Sequence, residues 1–293
     1  MPVTCFKAYR YHWGIVRTGT RRGAVPYTLS MEIPIYQVDA FARRQFAGNP
    51  AAVCPLKAWI PDATMQAIAA ENNLAETAFF VHEGAGFRLR WFTPAVEVDL
   101  CGHATLAAAF VIFEYLRYKK EEIAFESRSG TLRVTREGKR LCLDFPAIKL
   151  ERSGAPPQLI EGLGTQPLEV WNAMDYMVVF ASEDDVRELQ PSFEPIAAVT
   201  KRGVIVTAPG KKVDFVSRFF APAAGIDEDP VTGSAHCMLT PYWAKRLGKK
   251  SMKALQLSPR GGELWVKLRG DRVLIAGEVK PYLKGTITVP PKA

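Results

Sequence analysis

The chain has 293 residues, 48% of them hydrophobic and 23% charged, with 38 Lys and Arg against 30 Asp and Glu for a formal net charge of +8. That length provides for a substantial core in two domains of roughly 100–150 residues. The longest strongly apolar stretch, Leu106 to Phe113, is far shorter than the roughly 20 residues of a membrane-spanning helix, so no membrane association and a cytoplasmic location are expected.

The charge is uneven. Residues 1–31 hold Lys7, Arg10, Arg17, Arg21 and Arg22 and no acidic residue, which leaves 33 basic against 30 acidic residues in the rest of the chain. A body at +3 gives no reason to expect a nucleic-acid partner. Residues 1–30 read as a basic N-terminal extension: a disordered appendage or upstream sequence before a working start at Met31, in preference to an organellar targeting peptide. Five scattered cysteines (Cys5, Cys54, Cys101, Cys142 and Cys237) with no CxxC pair fit free thiols in a reducing compartment.

From Met31 the texture is α+β. A strand is predicted over Glu32–Asp39, then a helix capped by Asp62 with Met65, Ile68, Ala69 and Asn72 on one face. Phe87, Leu89 and Trp91 alternate with arginines, and Leu141, Leu143 and Phe145 with polar residues, the period-2 pattern of half-buried strands. Between them a helix from about Ala104 to Leu116 is apolar on nearly every side, which predicts burial inside a curved sheet. Further strands are expected at Thr131–Arg136, Asp175–Ala181, Gly203–Ala208, Val213–Phe219, Glu263–Leu268, Arg272–Gly277 and Thr286–Val289, with a third helix over Ser234–Leu247.

An internal repeat organises these elements. Arg90-Trp-Phe-Thr-Pro-Ala95 returns as Arg218-Phe-Phe-Ala-Pro-Ala223. Each copy is followed by a loop and a glycine that opens a helix, in Cys101-Gly-His-Ala-Thr105 and Thr232-Gly-Ser-Ala-His236. The order predicts two similarly folded halves, each with a helix enclosed by sheet. Helix N-termini opening with Gly102 and Gly233 offer backbone N–H groups and a positive dipole end to a carboxylate. Each glycine taken alone reads equally as a turn residue.

Glu76 stands between a helix and an apolar strand, where partial desolvation would raise its pKa toward the range of a general acid/base; taken alone, a glutamate so placed is more often a capping or salt-bridged surface residue. Asp227–Ser234 is a second acidic loop, readable also as a solvated turn. Neither a P-loop nor a GxGxxG motif is present, so no nucleotide cofactor is expected. Cys101-x-His103 and His236-Cys237 could meet as four zinc ligands, a reading subordinate to the anion site. Arg260-Gly-Gly262 reads as an anion-contacting loop or a plain hairpin turn.

Asp39-Ala-Phe41, Gly48-Asn-Pro-Ala-Ala-Val53, Asn73-Leu-Ala-Glu-Thr-Ala-Phe79, Phe92-Thr-Pro94, Leu100-Cys-Gly-His-Ala-Thr105, Glu228-Asp-Pro-Val-Thr-Gly-Ser-Ala235 and Gln256-Leu-Ser-Pro-Arg-Gly-Gly262 together resemble the phenazine-biosynthesis PhzF-like family, from Met31 to the end. The resemblance implies the diaminopimelate epimerase-like fold: two pseudo-symmetric α+β domains, each a barrel-like sheet around a central helix, with the active site between them. The expected limits are 31–147 plus 278–293 for the N-terminal domain and 148–277 for the C-terminal one. It implies an isomerase with no cofactor and no metal that shifts a proton on a small carboxylate-bearing substrate, working as a homodimer. Catalytic roles would fall to Glu76, His103, Asp229 and Ser234, and substrate contacts to Gly102, Gly233, Asn49, Cys101 and Thr232. The first glycine loop, Cys101-Gly-His-Ala104, departs from the Ala-Gly-His-Pro of the phenazine enzyme. Cysteine precedes only one of the two glycines, which argues against a symmetrical two-thiol racemase. A Cys101-based epimerase or dehydratase of the same fold and a non-catalytic binding protein remain alternatives.

Overall fold

The computed structural model describes residues 31–200 and 202–290. The basic extension at 1–30 lies outside the described residues. The first half runs β1 (Met31–Ala40), β2 (Asn49–Leu56), α1 (Asp62–Asn72), β3 (Glu76–Glu83), β4 (Gly86–Phe92), β5 (Glu97–Val98), α2 (Gly102–Glu114), β6 (Glu122–Ser127), β7 (Gly130–Glu137) and β8 (Arg140–Pro146). The second runs β9 (Glu151–Arg152), α3 (Pro157–Leu163), β10 (Glu169–Asn172), β11 (Tyr176–Val179), α4 (Glu183–Glu188), α5 (Phe193–Val199), β12 (Val204–Pro209), β13 (Phe215–Phe220), α6 (Gly233–Leu247), β14 (Ser251–Gln256), β15 (Gly262–Arg269) and β16 (Arg272–Gly277), before β17 (Val279–Val289).

The repeat is written in the strand pairings. In the first half β1–β2 is antiparallel, β2–β3 parallel, β3–β4 antiparallel, β4–β6 parallel, and β6–β7–β8 antiparallel. In the second, β10–β11, β11–β12, β12–β13, β13–β14 and β14–β15–β16 follow the same sequence of senses. β17 returns to pair along the whole of β1, as β9 pairs with β10. The halves join where β8 pairs antiparallel with β16, from Leu141 opposite Gly277 to Pro146 opposite Arg272.

Hydrophobic pattern decides where each helix sits. In α2 every residue from His103 to Phe113 except Phe110 is buried, and the helix packs against β1, β2, β3 and β8. Each large side chain so enclosed contributes roughly 1.5–3 kcal/mol. α6 occupies the equivalent place against β14, β15 and β16, despite Pro241 in its interior. The amphipathic α1 instead covers the outer face of the first half through Met65, Ile68 and Ala69, and α3, α4 and α5 cover the outer face of the second. α1 begins differently from the expectation. Pro61 is its N-cap and Asp62 makes no capping bond, because the Asp62 carboxylate accepts from Arg90 at 2.9 Å. Among the described residues no helix is long and apolar enough to cross a membrane, and Cys54, Cys101, Cys142 and Cys237 are free and buried.

The six-residue sequence repeat has a structural counterpart in two arginine forks. Arg90 on β4 grips Glu97 through Nε and Nη2, both at 2.7 Å. Arg218 on β13 grips Glu228 through the same atoms at 2.8 and 3.0 Å. Each fork fastens the loop that leads into a central helix, and so aims the helix N-terminus.

Candidate active site

Those two N-termini meet. A Cβ built on Gly102 would lie 3.7 Å from the Gly233 Cα, and one built on Gly233 would lie 3.7 Å from the Gly102 Cα. Both would be ordinary contacts, so packing within the protein does not by itself demand glycine at either place; the space left open faces a cavity. The N-caps are Cys101 and Thr232, both in extended backbone conformations and neither closing its helix with a side-chain hydrogen bond. The first-turn N–H groups are thereby left without a side-chain cap.

The cavity between the halves, of about 430 Å³, is lined by Glu76, Cys101, Gly102, His103, Asp229, Thr232, Gly233 and Ser234. Eight of the nine residues expected from the sequence therefore converge on one cleft. Asn49 is the exception. It is fully buried behind Asp229, and its Nδ2 donates to Asp229 Oδ1 at 2.7 Å and to the Val231 carbonyl at 3.0 Å. Asn49 thus positions the acidic loop and does not touch the cavity.

Glu76 is the first residue of β3, held where the strand leaves the turn after α1. Its Oε2 lies 3.2 Å from His103 Nε2, yet neither atom has an aligned hydrogen-bond partner. The other ring nitrogen, Nδ1, lies 3.5 Å from Cys101 Sγ. Burial pushes the Glu76 carboxyl up to about 8, helped by the negative charge of Asp229. Burial pushes His103 down to about 3 and, with the nearby Glu76, raises the Cys101 thiol well above its ordinary value. At neutral pH the cluster therefore holds a neutral imidazole, a thiol and a carboxyl whose proton is the most easily exchanged.

Asp229 is pushed up to about 6 by burial, against the opposing hydrogen bonds from Thr232 and Asn49. Thr232 Oγ1 donates to its Oδ2 at 2.5 Å. Gln256 ties the loop down further: its Oε1 accepts from the Thr232 N–H at 2.9 Å and its Nε2 donates to the Asp229 carbonyl at 2.8 Å. The Gln256 motif had been legible, but its side chain's work depends on β14 lying beside the loop. On the far wall Ser234 Oγ accepts from Arg202 Nη2 at 2.8 Å, and the Arg202 Nε donates to Asp175 Oδ1 at 2.8 Å. Sequence reasoning missed Arg202, whose only local signal is a Lys-Arg-Gly before an apolar strand.

The four-ligand zinc set does not form. Glu76, Cys101 and His103 offer ligand atoms within 4.8 Å of one another, whereas His236 Nδ1 is taken by the Thr232 carbonyl at 2.8 Å. Arg260 is a clamp and not an anion contact: it donates to Asp39 Oδ1 at 2.7 Å and to the Gly48 carbonyl at 2.8 Å, and Arg260-Gly-Gly262 is the hairpin turn from β14 into β15.

The PhzC-PhzF family of phenazine biosynthesis-like proteins matches residues 38–285. The chain belongs to that family. An uncharacterized isomerase of Pseudomonas aeruginosa is 55% identical to this PhzF-like chain over 258 residues, 88% of this chain and 99% of the relative. The crystal structure of a PhzF-family protein from Enterococcus faecalis superposes with a TM-score of 0.86 at 50% identity, covering 88% of this chain and 99% of that one. A predicted epimerase from P. aeruginosa superposes at 0.66 with 21% identity, covering 87% and 99%. At that identity the likeness is one of fold, and it is the two-domain epimerase-like α+β fold that the family resemblance implies, with the two similar halves expected from the repeat.

Proposed function

We propose that this PhzF-like protein is an isomerase that moves a proton between carbons of a small carboxylate-bearing substrate, with Glu76 as its general acid/base. The observation that carries the reading is a carboxyl held by burial near a pKa of about 8 on the wall of a cleft that also contains two helix N-termini without side-chain caps. The isomerase name of the 55% identical relative agrees with it.

In this mechanism the Gly102 and Gly233 helix ends and the Ser234 hydroxyl hold the substrate carboxylate. Ionised Glu76 takes a proton from a carbon conjugated to that carboxylate, and the electron pair of the broken C–H bond spreads toward the held oxygens. Fixed donors aimed at developing charge need no reorganisation during the step, a contribution of several kcal/mol. Glu76 then returns the proton to a second carbon of the conjugated system, so the electron count closes without a cofactor. His103 neighbours the carboxyl as a neutral imidazole, and Asp229 holds the Thr232 end of the pocket. The alternative in which Cys101 is the base is disfavoured by a thiol driven far from ionisation.

The test is exchange in deuterated water across a panel of small unsaturated carboxylates, read as deuterium bound to carbon. The wild-type protein is expected to label the substrate it turns over, Cys101→Ala to retain labelling and Glu76→Gln to lose it. A fully active Glu76→Gln protein overturns the reading.

A further inference from the structure

We propose that Arg202, fixed by the buried carboxylate of Asp175, is the specificity-determining residue through which the cleft selects an anionic ligand, its guanidinium completing the carboxylate pocket at the N-terminus of α6. The inference rests on the isomerase reading and narrows its substrate class to carboxylates with a largely apolar body.

Arg202 is the only Arg or Lys among the described residues that line the cavity. Two of its three nitrogens are committed: Nε to Asp175 at 2.8 Å and Nη2 to Ser234 at 2.8 Å. Among the described residues Nη1 has no hydrogen-bond partner. The side chain is 40% exposed while that of Asp175 is 1% exposed, so the anchor is sealed and the guanidinium is presented. Asp175 is an expensive anchor. Burial raises its pKa, with Arg202 opposing, and its Oδ2 is buried without a partner. An ion pair with so exposed a guanidinium adds little stability; what the sealed carboxylate supplies is the orientation of the guanidinium. Because Ser234 Oγ accepts from Arg202, the hydroxyl proton is left to donate into the pocket.

The repeat brings this residue to the cleft from a second direction. Thr77 pairs with Phe92 and Val204 with Phe220, and Phe92 and Phe220 are equivalent in the two copies. The chain entering β12 through Arg202 and Gly203 is therefore the counterpart of the chain entering β3 through Ala75 and Glu76. Leu100, Phe145, Ile148, Met174, Phe219 and Ile226 supply the apolar wall, which suits an apolar body behind the carboxylate.

Calorimetric titration of the full chain with benzoate and its neutral isostere benzamide tests the inference. The wild-type protein is expected to favour benzoate. In Arg202→Gln and in the double variant Asp175→Asn/Arg202→Gln, benzoate affinity is expected to fall about tenfold or more while benzamide stays within about twofold. The double variant removes the buried charge together with its partner, so a loss common to both is not a folding defect. Equal weakening of the two ligands assigns Arg202 a structural role and overturns the proposal, as does unchanged benzoate binding in Arg202→Gln. Failure of the wild-type protein to bind benzoate in preference to benzamide also overturns it. The isomerase reading fails on a different result, a fully active Glu76→Gln protein, which leaves the benzoate comparison intact.

Discussion

At the entrance to β3 the first half of the molecule carries Glu76, while at the corresponding entrance to β12 the second half carries Gly203 with Arg202 before it. The scaffolds around these two places follow the same order of parallel and antiparallel strand pairings, down to the arginine forks at Glu97 and Glu228. What differs is the chemistry placed on them. The two halves supply helix N-termini that face each other, and on the reading proposed above one side of the cleft carries the proton while the other holds the anion. Symmetry fixes the distance between the parts; asymmetry assigns their roles.

The largest expected effect bears on that division of labour. Glu76→Gln is expected to lower kcat by about 10²–10⁴-fold, the usual worth of general acid/base catalysis, with circular dichroism unchanged. Next come the two forks. Arg218 is nearly buried against Glu228, with side chains 11% and 13% exposed, and it also donates to the Val186 and Leu189 carbonyls. Arg218→Gln is expected to cost about 3–5 kcal/mol by denaturant unfolding, since it strands a buried carboxylate. Arg90→Gln is expected to cost less, because Arg90 is more exposed and its second partner Asp62 is a surface group. Equal losses would break the comparison.

A smaller effect is read in pH. The folded chain holds the Glu76 proton up to about 8, against an ordinary value of 4.5. This contribution to stability is therefore complete below about 4.5 and is lost as pH rises toward about 8. The melting temperature of wild type is expected to fall across that window more than that of Glu76→Gln. In kcat/KM the same group is expected to appear as a rise with pH up to about 8. Smallest in stability is Gly233→Ala, expected to shift unfolding by no more than about 1 kcal/mol while weakening benzoate binding severalfold, because its methyl enters the space between the helices.

Much of this arrangement was legible in the sequence, and the exceptions share a cause. The all-apolar α2, the period-2 strands and the repeated strand, loop and glycine order announce an enclosed helix in each half, because those patterns follow from local geometry. The place of Glu76 between a helix and an apolar run announced its desolvation, which burial in the cleft bears out, while its selection over a surface role came from the family motif. The short α3, α4 and α5 and the two-residue β5 and β9, which exist by packing on neighbours, were not legible, and neither were the strands β2, β6, β10 and β14. Asp62 and Asn49 have the right chemistry for the roles expected of them, but partners distant in sequence, Arg90 and Asp229, claim their side chains. Arg202 depends on contacts 27 and 32 residues away, which no local pattern records.

The seam between β8 and β16 carries a consequence for how the molecule comes apart. Its six facing pairs of residues make the strands of both halves one hydrogen-bonded ribbon, and a single apolar cluster runs through both, from Leu106 on α2 to Trp243 on α6. Neither half can melt without leaving its neighbour a raw edge and an open core. The chain is therefore expected to unfold in one cooperative transition, with amide exchange along β8 and β16 among the slowest in the protein. Loss of the cleft would then coincide with loss of the fold.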